Sequence, residues 1–540
     1  MSEQSQTVRD HPAYRIALDV ALKAITVVGR HPAIFLSLPS LYLLLVYPPI
    51  WKDVDALGQL IWKAGWANIL HYPPLYCFTG RIPFWVGDCV LALLSGQPLP
   101  APSLFAEQHP TWLGIELLII AQHAGLILAL TLLVRTAARG PLGRGAITLG
   151  CIAASSLYAH QQCAGSEAPS VTAIILLTVT GLWAYRSKAS LRAWVVFTIA
   201  LLVAFGTRHI NYLFVLWLPL VITGHLIWSL WRRRPIFIQD LTKLGIAIAC
   251  GAFALLADTL IVRTMIAAAG EPYRTDLGFV LIDRATSFLY KLSNSERAAL
   301  VEKLVTAEPD PIVQVAIRAE SKVGVSHDEL ANTIQDALRQ EGIPQSALQA
   351  RSDVVVFDAA LAYLRTLHPK LIDLILSDFL HGYVREDNSK LSLNRFLANR
   401  TAARMRQEDP KGWQPLEQLH SIDDLKTASA LVDRASTDPY LMLWGPVPIA
   451  VLVLVNFGLT IFLIRRQQAN IAWFSQALLL NAAILYFANC VCDYFNDRYA
   501  LPLLVCAVAA FSLQVGALFD EMTDGVSGLQ IGEGARPRAP

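Results

Sequence analysis

WLGIELLIIAQHAGLILALTLLVR, residues Trp112 to Arg135, decides the class of fold. At about 1.5 Å per residue this run outspans the roughly 30 Å hydrocarbon core of a bilayer. No water is available there to bond backbone N–H and C=O groups, so the run must pair them internally and be a helix. The rest of the chain repeats the pattern. Hydrophobic residues make up 54% of the sequence and charged residues 16%, and the mean hydropathy is +0.44.

Apolar runs of spanning length fall at roughly 31–50, 112–134, 145–160, 168–185, 193–207, 210–231, 243–264, 441–464, 470–491 and 499–518. The expected fold is an all-α polytopic membrane protein with about ten transmembrane helices. A further apolar run at 82–96 is expected at the membrane interface, because Arg81 and Asp88 interrupt it. The net charge of +2 gives no bulk electrostatic case for nucleic acid. No secretory leader is evident in the polar first thirty residues, which carry Arg9, Arg15, Lys23 and Arg30.

Arginine and lysine matter by position. Arg135, Arg139 and Arg144 follow the 112–134 span, Arg186, Lys188 and Arg192 follow 168–185, Arg232 to Arg234 follow 210–231, and Arg465 and Arg466 follow 441–464. All fall on the side of the basic N-terminus, which the positive-inside rule makes cytoplasmic. The expected location is a bacterial inner membrane with both termini inside. Residues 1–30 form a cytoplasmic N-terminus and 31–264 a first bundle with an outward loop at 51–111. The last spans occupy 441–518, and a tail follows at 519–540.

Between the bundles, 265–440 reads as an inserted, mainly helical extracytoplasmic domain. Capping-box pairs mark helix starts at Ser293 with Glu296, Ser326 with Glu329 and Ser421 with Asp424. Amphipathic runs follow at Glu329–Leu338 and Ala359–Leu376, and Pro309, Pro311, Pro344 and Pro369 divide the unit. The eight cysteines are scattered and form no zinc-type pairs. A Cys77–Cys89 bridge requires that loop to face an oxidising compartment.

The chemistry-bearing residues cluster at outward span ends. The first outward loop opens Trp51-Lys-Asp53-Val-Asp55, then reaches His71-Tyr72-Pro-Pro-Leu-Tyr76. A carboxylate there can take a proton from an attacking hydroxyl; Asp55 equally fits as the cap of a helix starting at Ala56. Glu167 closes the turn Ala164-Gly-Ser-Glu167, a solvated position or a pocket one. Arg208 and Arg498 sit where the charge rule would not put them. A guanidinium there suits a lipid phosphate, which it binds through parallel hydrogen bonds; Arg498 also has Asp493 and Asp497 beside it as ion-pair partners. Within the spans, Glu116, Gln122, His123 and Asp258 are polar, which suits helix–helix hydrogen bonding or a proton relay.

In this order, Asp53/Asp55, Pro73–Tyr76, Ser166-Glu167, Thr207-Arg208 and Arg498-Tyr499-Ala-Leu-Pro502 resemble the type C glycosyltransferase superfamily, multi-span enzymes that use polyprenyl-phosphate sugars. The resemblance covers roughly 30–265 and 440–520. It implies inverting transfer of a sugar to a glycan, lipid or protein hydroxyl, with Asp55 or Asp53 as general base. Arg498 and Arg208 would hold the leaving phosphate, and Glu167, His209, Tyr499, His71 and Tyr72 would line the substrate pocket. The chain departs from the family pattern with Asp-Val-Asp in place of the frequent Asp-Glu, with His209 after Thr-Arg, and with its soluble unit inserted. Metal dependence varies in that superfamily; no ligand cluster in the sequence settles a divalent metal, and the lipid-linked sugar is the donor. The competing classes are a lipid-linked glycan polymerase or ligase and a transporter or flippase, the latter usually marked by internal repeats that this sequence lacks.

Overall fold

The computed structural model describes residues 12–51, 59–61, 63, 74–187, 190–232, 238–270, 277–322, 327–384, 434, 437–442, 449–466, 468–492 and 500–534. Among these residues, seven helices are long and apolar enough to cross a membrane: Pro74–Leu94, Trp112–Ala137, Glu167–Arg186, His209–Trp231, Ile238–Ala268, Ala469–Cys492 and Leu501–Met522. Leu191–Thr207 and Ile449–Arg465 are shorter apolar helices. The surface of the bundle is apolar, with Leu45 85% and Leu256 69% exposed. Its interior carries polar side chains such as Gln122, His123, Asn481 and Gln514. An apolar outside around a partly polar inside is the arrangement lipid solvation selects, so the chain is an integral membrane protein.

Contacts sort the helix ends into two sets. At one end Arg186 Nη1 donates to Thr136 O at 3.4 Å, Lys243 Nζ donates to Tyr185 O at 3.0 Å, and the Arg139 N–H donates to Asp520 at 2.9 Å. Arg466 stands 3.7 Å from Glu521 there. The basic loops therefore gather at one face. At the other end Ile50 and Trp51 pair in parallel with Cys163 and Ala164, and Arg208 meets Glu167.

Pro74–Leu94 touches the Glu167 end of the bundle through both of its halves, Pro74–Thr79 and Ile82–Leu94. A Cβ on Gly206, in the last turn of Leu191–Thr207, would stand 2.6 Å from Leu75. One on Gly87 would stand 2.5 Å from the backbone of Gly114, in the first turn of Trp112–Ala137. Thr111 caps that turn, its hydroxyl accepting from Gly114 N. The run expected at 145–160 is not one helix: Pro141–Ala153 ends at Ala154, and a five-residue helix, Ser155–Ala159, follows.

The N-terminal segment is helical too. Ile16–Arg30 meets Pro32–Val46 at an 86° bend, at a proline that cannot continue the preceding ladder. Glycines let this first helix lie backbone to backbone on Pro141–Ala153. A Cβ on Gly29 would sit 1.7 Å from Pro141 O, and one on Gly145 1.9 Å from Ile25 O.

The helices from Leu277 to Val384 hold a hydrophobic core of their own, built on Ile282, Phe288, Ile317, Ile334, Val355 and Tyr363. The Ser293–Glu296 capping box forms as its sequence requires. Ser326, Ser421 and Asp424 lie outside the described residues. Leu330, Ile334 and Leu338 line the buried stripe of His327–Gln340. The amphipathic run at Ala359–Leu376 breaks at Pro369, which opens the helix Pro369–Val384. This unit joins the bundle through Tyr486, whose hydroxyl donates to Asp378 O at 2.7 Å. Cys77 and Cys89 form no disulfide.

Candidate functional site at the Glu167 end

Arg208 is placed by a break in helical geometry. Leu191–Thr207 ends there: Arg208 adopts an extended backbone, φ −156° and ψ 134°, and the chain resumes as 3₁₀ turns over His209–Leu216. The elbow is tied down by Asn211, whose amide donates to Ala204 O at 2.8 Å and to Ser170 Oγ at 3.0 Å. Ser170 lies in the first turn of Glu167–Arg186, so the two span ends are locked together.

Glu167 opens that helix, where the backbone N–H dipoles favour a carboxylate. Its Oε1 lies 3.3 Å from Arg208 Nη1. Both residues are buried, 4% and 8% exposed. A turn carboxylate that water could have solvated is thus enclosed against a guanidinium.

Tyr76 closes over the turn between them. Its hydroxyl accepts from Gly165 N and donates to Gln122 Oε1, each at 3.0 Å. Gln122 in turn donates to Gln161 O at 2.8 Å and Cys163 O at 3.0 Å. Gln59 donates to Ser166 Oγ at 3.4 Å. The Pro-Pro-Leu-Tyr element, the Ser-Glu turn and the Thr-Arg elbow, remote in sequence, therefore meet at one place.

His209 Nδ1 is 3.1 Å from Tyr212 Oη, and Tyr212 donates to Asp258 Oδ2 at 2.7 Å. His123 bonds Ser40 Oγ and Gln162 Oε1, each at 3.0 Å. Asp258, Gln122 and His123 are thus engaged in helix–helix hydrogen bonds. Asp53, Asp55, His71, Tyr72, Arg498 and Tyr499 lie outside the described residues. Trp51, two positions before Asp53 in sequence, pairs with Ala164 beside the Ser-Glu turn.

Two residues at this end carry more than their sequence context showed. Arg81 is fully buried, its guanidinium donating to Leu104 O at 2.6 Å, Ala106 O at 3.3 Å and Gln59 O at 3.4 Å. Its charge read as an interfacial flag, and nothing in the sequence signalled carbonyl partners from a distant loop. Asp438 accepts from the hydroxyls of Tyr42 and Tyr47, each at 2.7 Å, and caps Pro439–Met442 through the Tyr440 N–H. The Asp-Pro pair was its only local signal. Among the described residues no group of three or more His, Cys, Asp or Glu side chains stands where it could hold a metal ion.

Chemically, the pair combines a guanidinium, a group able to bind oxyanions, with a carboxylate able to accept hydrogen bonds from hydroxyl groups. No protein-family model, curated protein or solved structure matches this chain.

Proposed function

We propose that the protein is a membrane glycosyltransferase that moves a sugar from a polyprenyl-phosphate donor to an acceptor hydroxyl on the outer side of a bacterial inner membrane. The observation that carries this reading is the buried Glu167–Arg208 pair at 3.3 Å, roofed by the Tyr76 element. Three motifs of the resemblance share that location. The reading takes the basic end as cytoplasmic, with about ten crossings and the helical unit outside.

In the step, Asp55 or Asp53 accepts the proton of the acceptor hydroxyl. That oxygen attacks the anomeric carbon and inverts it, and the bond to the phosphate oxygen breaks. The phosphate departs as an anion, balanced by Arg208 and Arg498. Charge stabilisation of this kind supplies several kcal/mol in a water-poor site. Phosphate is a good leaving group, so no general acid is needed.

Mass spectrometry of lipid-linked sugars and glycans, in cells with and without this chain, tests the reading. Loss of one sugar from the glycan, with build-up of its polyprenyl-phosphate form, is the expected result. Unchanged glycan in an Asp53→Asn/Asp55→Asn variant would favour a polymerase or ligase. Purified protein that moves a lipid-linked sugar across vesicles without forming a glycosidic bond would favour a flippase.

A further inference from the structure

The helix Glu167–Arg186 has 20 residues, so its ends stand roughly 30 Å apart. At the Arg186 end the bundle encloses a second polar feature, a cavity of about 370 Å³. Arg186, His225, Asp240, Lys243, Gln468 and Asn470 line it. They come from four helix ends or turns that share no residue with the Glu167 site.

The charge balance is unusual. Arg186 donates to Thr136 O and Lys243 to Tyr185 O, both neutral backbone oxygens. Among the described residues neither cation has a carboxylate within 4.0 Å. An adjoining cavity of about 190 Å³ shares Arg186 and Gln468 and contains Asp520 and Glu521. Asp520 accepts the Arg139 and Gly140 N–H groups and acts on Arg186 only through space, and Glu521 faces Arg466. Asp240 is the one carboxylate among the described residues lining the larger cavity. His225 also lines it, and its Nδ1 is buried with no hydrogen-bond partner among the described residues.

Aromatic side chains fix the depth. Trp228 meets Trp231 edge to face and Trp473 at a tilt, with ring centroids 5.1 and 5.6 Å apart. Arg232 lies 4.7 Å over the Trp228 ring. Indoles with a neighbouring cation mark the headgroup level of a bilayer. His225 is one helical turn from Trp228 and Asn470 one turn from Trp473, so the cavity shares that level.

We propose that this cavity is a phosphate-binding site at the membrane face opposite Glu167, filled by the headgroup of an anionic phospholipid, with Arg186 and Lys243 holding the phosphate oxygens. Two cations at headgroup depth match a phosphodiester, and amide side chains from Gln468 and Asn470 can donate to the remaining oxygens. The proposal does not depend on glycosyl transfer.

Native mass spectrometry of the full-length protein, with phosphatidylglycerol and phosphatidylcholine offered together, tests it. Wild type retains phosphatidylglycerol selectively; Arg186→Gln/Lys243→Gln loses that preference by roughly tenfold or more. Lys243→Arg keeps it, and Asp240→Asn, which removes the opposing charge, strengthens it. Inorganic phosphate alone, titrated in lipid-free detergent, separates the sources. Thermal protection at millimolar phosphate that disappears in the double variant supports the site with a soluble phosphate as ligand. Equal retention of both lipids without phosphate protection, or a preference unchanged by both the double variant and Asp240→Asn, overturns the proposal.

Discussion

Arg208 Nη1 lies 3.3 Å from Glu167 Oε1, and the two residues end different helices of the same bundle face. Each is at a position where the chain changes conformation, so neither side chain could be supplied from mid-helix. A buried ion pair is weak evidence for stability, because desolvation offsets much of the attraction. The proposed transfer gives the pair a binding role instead.

Arg208→Lys should therefore impair transfer more than folding. Lysine keeps the charge but not the planar fork. Glycan output is expected to fall roughly 100-fold, the order lost with one anion-stabilising donor. Quantitative glycan analysis normalised to protein level checks this; unaltered output at equal protein would remove Arg208 from the site.

Gln122→Leu should loosen the Tyr76 roof. The substitution removes the donor to the Gln161 and Cys163 carbonyls and the acceptor of the Tyr76 hydroxyl proton. Leaving buried polar groups unpaired costs about 1–3 kcal/mol. Thermal unfolding in detergent should show a lower midpoint than for wild type, and Tyr76→Phe should lower it less.

The helical unit contains a costlier charge. Arg284 is fully buried and bonds Asp378 at 2.7 Å, while its Nε and Nη2 have no partner among the described residues. Asp378→Ala leaves that guanidinium uncompensated, at a cost of about 3–5 kcal/mol. Arg284→Met/Asp378→Leu should recover most of it. Denaturant unfolding of the single and double variants decides, and equal destabilisation in both would refute the account.

Acid should weaken the same unit. Lys370, then the Ser293 N–H and hydroxyl, hold the Glu296 carboxyl down from 4.5 to about 2. A depressed carboxylate pKa contributes stability that is complete above the unfolded value. That contribution fades as pH falls from 4.5 toward 2. In Lys370→Met the melting temperature should depend less on pH across that window. Glu296 is at the surface, so the effect is small. Identical pH profiles for wild type and variant would show that Lys370 is not the cause.

Much of the architecture was legible in the chain. Apolar length marked the membrane helices, since lipid leaves the backbone no alternative. The periodicity of Leu330, Ile334 and Leu338 marked a soluble helix, and Ser293 with Glu296 marked where another begins. Arg81 and Asp88 marked 82–96 as interfacial, whereas length and apolarity place Pro74–Leu94 among the helices able to cross. The 145–160 run misled because hydropathy does not register the break at Ala154.

By itself, then, the sequence determined that the chain is built of apolar helices of spanning length, which face gathers the basic loops, and that Glu167 and Arg208 stand at helix ends. Only the tertiary structure decided that those two side chains meet, that Tyr76 bonds the turn beside them, and that Arg186 and Lys243 line one cavity with, among the described residues, no carboxylate within 4.0 Å of either. The physical reason is range. Solvation and helix geometry act on neighbouring residues and can be read locally, whereas an ion pair or a cavity depends on how distant helices pack.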